Sequence, residues 1–360
     1  MGSFLSTDPK AEQLAAVGTA CVIAVCGVVY LMRNRVMPLP PVVVPSQWKK
    51  VAEVSALYLY PVKSGRAREV DSAECTKMGL KHGAYRDRFF MLVSEEGELV
   101  SGRLYPAVVL LRLEIDGSQL TLRCTGQEDL TVNVDNYHER REATVHGTKF
   151  NARCMGMAVS DWLTSAFVPY EEDRRRRIFL VFHDQTSTQR LVETSKFQDL
   201  LRPTDGPFFA DAVPYLLCSE SSVADLQEKI RQNGAKFVDS EPEVQVLDFR
   251  PNIVVRQSAD GPPLQPFDED NWLWIRFGEG GPIFRKGGDC TRCKFTTVSH
   301  EHGVQRRSAE PLISMKKYRQ FDDPEAKKWS KFKSRFGAYY AAEVEGSVSV
   351  GDSVYLGYSS

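Results

Sequence analysis

Residues Gly287 to Thr296 read GGDCTRCKFT and place Cys290 and Cys293 on either side of Thr291 and Arg292. Two thiols at this spacing can join a zinc site, cycle as a disulfide, or offer a single thiolate to a heavier metal. Arg292 and Lys294 would favour the ionised thiol in any of these uses. His300 and His302 lie downstream as possible third and fourth zinc ligands, but they are one residue apart, closer than the usual histidine pair, and there is no second CxxC. A thioredoxin-like role is disfavoured because no short βαβ unit opens at the CxxC. The residues of this stretch alone leave its chemistry open.

Working outward, short segments pair a strand-like run with basic or polar groups. Tyr60-Pro61-Val62-Lys63-Ser64-Gly65 leaves a strand through proline into a lysine, a hydroxyl and a glycine, a turn suited to wrapping a phosphate with backbone N–H groups and the Lys63 charge. Arg86-Asp87-Arg88 precedes the apolar run Phe89 to Val93, and Arg250-Pro251-Asn252 precedes Ile253 to Val255. Taken singly, each is an ordinary turn or ion pair. Together with the cysteine pair they point to a compact, phosphate-bearing cofactor.

Leu14 to Met32 is a run of nineteen uncharged residues, LAAVGTACVIAVCGVVYLM. As a helix it reaches across most or all of a hydrocarbon core of about 30 Å. The preceding residues Asp8, Lys10 and Glu12 do not form the basic cluster of a secretory signal, so the expectation is a retained anchor. Arg33, Arg35, Lys49 and Lys50 follow it and place the rest of the chain on the cytosolic side. Met37 to Ser46, MPLPPVVVPS, reads as a stiff proline-rich connection. With 46 basic and 47 acidic residues among 360, composition gives no sign of a broad nucleic-acid-binding surface. Of the eight cysteines, Cys21 and Cys26 fall inside the apolar run, and Cys75, Cys124, Cys154 and Cys218, irregularly spaced in a body expected in the cytosol, predict free thiols rather than a disulfide framework.

Periodicity predicts a strand over Val51 to Tyr60, further strands over Arg88 to Val93, Val108 to Ile115 and Leu120 to Cys124, and a helix over Met155 to Phe167. Ser222 is expected to open a helix running through Ile230. Val244 to Leu247 and Ile253 to Val255 are expected strands, and Val348 to Leu356 a strand, a Gly351-Asp352 turn and a second strand.

The ordered set YPVKSG (60–65), RDRFF (86–90), FRPNIVV (249–255), CTRCKFTTV (290–298) and GDSVYLG (351–357) resembles the MOSC family with its N-terminal β-barrel companion domain. It is most similar there to the mitochondrial amidoxime-reducing components. The resemblance implies a strand-rich α+β chain: a transmembrane anchor at 14–32, a linker at 33–47, a β-barrel-like companion domain at 48–198 and a MOSC β-barrel domain at 199–360. It implies a molybdenum–molybdopterin cofactor, with Cys293 as the metal ligand and catalytic residue. Lys63, Ser64, Arg88, Arg250 and Asn252 would contact the phosphate or pterin, with Ser222 as a further contact at a helix start.

The implied activity is reduction of N-hydroxylated compounds (amidoximes, N-hydroxyguanidines, hydroxylamines) to the N–H bases. Electrons would come from a b-type membrane cytochrome served by an NADH-dependent flavin reductase. The implied location is the mitochondrial outer membrane facing the cytosol, with the endoplasmic reticulum and peroxisome as alternatives. The non-enzymatic alternative is a molybdenum-cofactor or sulfur carrier using the same residues. Ser299-His300-Glu301 departs from the acidic residue and proline expected after the cysteine loop, which weakens inference about substrate contacts at the rim.

Overall fold

Ala52 and Val54 alternate onto one face of the first strand, Gln47–Leu59, a register shift between Val54 and Ala56 brings Leu57 to the same core, and all three side chains are completely buried. In the computed structural model, which describes residues 43–358 except 146, 169–175, 184–190, 193–199 and 234–240, this strand closes a barrel. Its C-terminal half pairs antiparallel with Ile253–Arg256 (Val54 opposite Val255, Leu57 opposite Ile253). Its N-terminal half pairs with Ser353–Tyr358 (Lys49 opposite Leu356). Between them the ring runs through Tyr215–Ser219, Arg335–Val344, Ile283–Thr291 and Trp274–Phe277, giving seven strands without a free edge. Six of the contacts are antiparallel; Tyr215–Ser219 and Ile253–Arg256 run parallel. The interior holds Leu57, Tyr215, Ile275, Phe284 and Tyr340, all fully buried or nearly so. Truncating a ring such as Phe284 would cost about 3–5 kcal/mol.

A second strand-rich region carries a five-stranded sheet in the order Arg140–Val145, Thr148–Cys154, Phe179–Phe182, Phe90–Val93, Leu99–Val100. A three-stranded meander, Arg112–Asp116, Gln119–Arg123 and Leu130–Asn133, accompanies it. Helix Gly156–Phe167 lays Val159, Leu163 and Phe167 against a core that includes Leu113, Leu120 and Leu180. The two regions are packed into one unit, Val44–Ser360. The opening strand lies within the span expected for the companion domain, 48–198, yet it completes the barrel of the other region.

Several elements differ from their sequence patterns. Val244 to Leu247 is not a strand: Val246–Phe249 is a 3-10 turn, because the Asp248 carboxylate reaches back to the Gln245 N–H and diverts the backbone. Val108 to Ile115 divides into a 3-10 turn, Pro106–Leu110, and the strand Arg112–Asp116, with Pro106 fixing the start of the turn. The closing segment is not a hairpin. Gly346–Ser349 pairs with Ser72–Thr76 in a four-stranded sheet, whereas Ser353–Tyr358 enters the barrel. Hydrogen bonds from Val350 to Asp71 and from Gly351 to Val54 divert the chain between them. The expected anchor, Leu14 to Met32, lies outside the described residues, as does the linker up to residue 42. Among the described residues no helix is long and apolar enough to cross a membrane, and all six cysteines are free.

Candidate functional site

Beyond the first strand, Tyr60–Gly65 lies against Arg88–Phe90. Arg88 N donates to Tyr60 O (2.7 Å), Phe90 N to Pro61 O (2.9 Å), and Lys63 N to Phe90 O (2.8 Å). Gly65 is required here, since a Cβ would sit 2.8 Å from Val62 Cβ. The turn puts Ser64 in the left-handed region (φ 70°) and tucks the Lys63 stem into the protein, its ammonium on the Asp211 carboxylate.

Arg88 is the hub. Its Nη1 donates to Asp87 (2.5 Å) and to the Asn252 side-chain oxygen (3.1 Å), and its Nη2 to the Arg250 carbonyl (3.1 Å). Burial pushes the Asp87 carboxyl upward against the opposing pull of Arg88. The Asn252 amide is fully engaged, its oxygen also accepting from Leu216 N and its nitrogen donating to Tyr58 O. Asn252 therefore fixes Arg88 and ties three segments of the site together.

Arg250 ends the 3-10 turn Val246–Phe249 in left-handed conformation (φ 59°). Both its guanidinium and that of Arg88 lie 4.2 Å from the centroid of the buried Tyr60 ring. Burial, assisted by repulsion from Arg88, lowers the Arg250 pKa to about 10 even though Tyr60 counteracts it. Its Nη2 is buried without a hydrogen-bond partner. That is an unfilled donor on a desolvated cation, a natural anion contact.

The cysteine loop leaves the barrel at Thr291. Arg292 is buried and aimed at Cys290 rather than Cys293: Nη1 lies 2.7 Å from Cys290 Sγ, and Nη2 donates to Phe249 O at 2.6 Å. This corrects the expectation that Arg292 serves the Cys293 thiolate. Burial nevertheless holds the Cys290 thiol above its usual pKa, outweighing Arg292, so Cys290 remains protonated. Cys293, half-buried, precedes the 3-10 turn Lys294–Thr297, and its carbonyl is held by Thr296 N and Oγ1.

Lys63, Ser64, Arg88, Arg250, Asn252 and Cys293 all line one cavity of about 590 Å³. Ser222 does not. The helix Glu220–Gln232 is capped by Ser219, and Ser222 is fully buried in its first turn, bonded to Glu269 (2.7 Å) and accepting from Phe267 N. The helix-start chemistry is thus consumed internally. The zinc reading also fails: His300 Nδ1 sits 2.9 Å from Asp248, His302 is exposed, and among the described residues no three His, Cys, Asp or Glu side chains form a metal-binding group. Tyr60, Asp211, Phe295 and Tyr339 belong to the site region without having been singled out as contacts. Tyr60, inside YPVKSG, was the one with a usable signal, an aromatic at a strand end between two later arginine motifs.

Comparison with known proteins agrees with this architecture. The MOSC N-terminal beta barrel domain matches residues 51–169 and the MOSC domain residues 207–355. The chain is 34% identical to "Mitochondrial amidoxime-reducing component 1" of Homo sapiens, over 86% of this chain and 84% of that protein. It is 32% identical to the Danio rerio protein of the same name, over 95% and 93% of the two chains. It is also 32% identical to "Mitochondrial amidoxime reducing component 2" of Bos taurus, over 85% and 84%. With the closed seven-stranded barrel and its strand-rich companion region in place, the chain belongs to the amidoxime-reducing component family of MOSC-domain proteins.

Proposed function

We propose that the chain is a molybdenum-dependent reductase that removes oxygen from N-hydroxylated compounds such as amidoximes, N-hydroxyguanidines and hydroxylamines. The names of its relatives support an N-reductive activity. The observation that carries the reading is one cavity holding the Cys293 thiol together with Lys63, Arg88 and Arg250, the last with an unfilled buried donor. That donor set fits molybdopterin: cations and the Ser64 turn for the phosphate, and a soft thiol for the metal. When bound, the cofactor supplies two-electron redox chemistry and an acceptor for the substrate oxygen.

Each protein group has a distinct task. Arg250 and Lys63 neutralise the phosphate, Lys63 by exchanging Asp211 for it. Arg88, held by Asp87 and Asn252, sets the position of Arg250 through its carbonyl. Cys293 anchors the metal, while Cys290 and Arg292 brace the loop that presents it. The reaction takes up two electrons and two protons per substrate and releases water. The sequence has no dinucleotide fingerprint and no haem or iron–sulfur motif, so the electrons come from other proteins; the family resemblance implies a b-type cytochrome and an NADH-dependent flavin reductase. The Leu14–Met32 anchor would tether the chain beside them, on the cytosolic face of the mitochondrial outer membrane.

Metal analysis and turnover test the reading together. The full chain should carry about one molybdenum, lose it on Cys293→Ser but not on His300→Ala, and reduce benzamidoxime with the reconstituted cytochrome, reductase and NADH. Stoichiometric zinc, or molybdenum indifferent to Cys293→Ser, would overturn it. Molybdenum-loaded protein without turnover by any electron donor would identify a carrier.

A further inference from the structure

Between Lys316 and Arg335 the chain carries eight basic residues against three acidic ones, in a protein whose formal net charge is −1. Arg319 and Arg335 are consumed inside the protein by Asp270 and Asp289. The lysines are not. Lys316, Lys317, Lys328, Lys331 and Lys333 are exposed, and none of them forms an ion pair among the described residues. An excess of like charge over two short helices and a loop opposes folding, so its concentration in one segment calls for a partner of opposite sign.

The patch also carries apolar surface. Lys331 and Phe332 are consecutive residues in left-handed conformation (φ 54° and 56°), closed by a Phe332 N to Lys327 O bond of 2.9 Å. Two such residues cost about 1–2 kcal/mol each. This turn leaves Phe332 62% exposed between the exposed Lys331 and Lys333, and Trp329 and Ile313 of the same segment are exposed as well. Exposed aromatic and apolar side chains among cations are the pattern of a protein-docking surface, in which charge steers the encounter and apolar contact holds it. The patch lies at the reactive cavity: Trp329, Ser330, Lys331 and Lys333 line the cavity that holds Cys293.

We propose that this basic, aromatic-centred face, helix Leu312–Tyr318 through Lys333, is the docking surface for an acidic electron-carrier protein, which it brings to the mouth of the Cys293 cavity. The proposal rests on the reductase reading. A small anion would not engage lysines spread over two helices and a loop. A lipid headgroup layer pressed on this face would cover the cavity through which solutes must pass, so an acidic protein that binds transiently suits the geometry better.

The test uses the full, molybdenum-loaded chain in phosphatidylcholine nanodiscs, with the haem domain of an acidic b-type cytochrome as probe. The variant combines Lys316→Glu, Lys317→Glu and Lys328→Glu, none of which lines the cavity; Phe332→Ala is made separately. Cytochrome affinity should fall at least about tenfold in the charge-reversed variant, the salt dependence of association should flatten, and Phe332→Ala should weaken binding with the salt dependence kept. Turnover driven by a reduced viologen should be unchanged in both, which also shows that both are folded. Cytochrome affinity and salt dependence indifferent to charge reversal would overturn the proposal. Protection of residues 312–333 from amide exchange by phosphatidylserine, with cytochrome affinity indifferent to charge reversal, would assign the face to lipid and overturn it as well. Absence of viologen-driven turnover in the unmutated, molybdenum-loaded chain would instead refute the reductase reading, whatever the binding data show.

Discussion

Replacing Arg250 with glutamine should loosen the cofactor while leaving the empty protein as stable as before or more so. The two effects have opposite signs because the guanidinium is desolvated in advance of its ligand. Burial lowers its pKa to about 10, and a displacement of that size corresponds to about 3 kcal/mol of unfavourable charge burial in the empty site. Against that relief stands the loss of stacking on Tyr60 at 4.2 Å, worth about 0.5–2 kcal/mol. The Arg88 contact survives, since it uses the residue-250 carbonyl. The apo-protein should therefore gain between about 1 and 2.5 kcal/mol, a rise of a few degrees in Tm. With cofactor, the variant forfeits a charge-assisted hydrogen bond from the unfilled Nη2, about 1.5–3 kcal/mol, so retention should fall roughly ten- to a hundredfold. Metal content after graded dilution and size exclusion, paired with apo-protein melting, reads both effects. An apo-protein destabilised by several kcal/mol with unchanged molybdenum retention would refute the reasoning and make Arg250 a structural residue.

Other perturbations address the frame around the site. Asn252→Ala should cost about 2–4 kcal/mol in urea unfolding, because Leu216 N and Tyr58 O lose buried partners, and it should lower cofactor retention by freeing Arg88; stability within about 0.5 kcal/mol of the parent would contradict the role drawn for it. Gly337→Ala should destabilise by about 2–4 kcal/mol, since φ is +75° and a Cβ would lie 2.7 Å from Cys218 Sγ and 2.8 Å from Leu217 O; an unshifted melting curve would show that the barrel yields there. Burial raises the Glu269 carboxyl pKa despite hydrogen bonds from Ser222 and Ser219. The folded state therefore holds this proton more tightly than the unfolded chain, and the contribution is full below the ordinary carboxylate pKa and lost as pH rises through the elevated one. Urea titrations of the parent and Glu269→Gln between about pH 4 and 8 should show the parent losing stability relative to the variant as pH rises, and parallel curves would argue against it.

Strands were legible where one face alternates, as over Ala52 and Val54, but the register shift after Val54 and the closure of the barrel were not. It depends on Val54 meeting Val255 and Lys49 meeting Leu356, pairings that no local pattern encodes. The same limit explains the closing segment, where Gly351-Asp352 has the chemistry of a hairpin turn while the strands on either side join different sheets. Lys63, Arg88 and Arg250 stood out because charged groups stand beside β-prone runs in short motifs, Cys293 was separated from Cys290 only by the family resemblance, and one cavity gathers all four. Ser222 was misplaced because a helix start offers N–H groups only if nothing else takes them; here Ser219 caps the helix and Glu269, buried from a distant turn, occupies the Ser222 hydroxyl. The aim of Arg292 was equally invisible, since either flanking thiol suits its charge and only the fold brings Phe249 O within 2.6 Å to choose Cys290.

The backbone at the cavity gives the deeper reason why its chemistry is concentrated there. Ser64, Arg88 and Arg250 all adopt positive φ, and none is glycine or asparagine, the residues that reach this region cheaply. Each costs on the order of 1–3 kcal/mol and persists only where the surroundings fix it. Short backbone bonds do so: Arg88 N to Tyr60 O at 2.7 Å, Gly65 N to Val62 O at 2.9 Å and Arg250 N to Leu247 O at 3.1 Å. The strain turns two guanidinium groups onto one tyrosine ring, where Arg88 is paired with the buried Asp87 carboxylate and Arg250 keeps a buried donor without a partner. Two cations clustered in this way repel each other in a desolvated place, where Coulomb energies exceed those in water several-fold. Such an arrangement opposes folding of the empty chain and is relieved by an anion of fixed shape. An anion bound there would therefore contribute to the stability of the site that holds it, and the same geometry that strains the backbone would favour an anionic ligand over a neutral one.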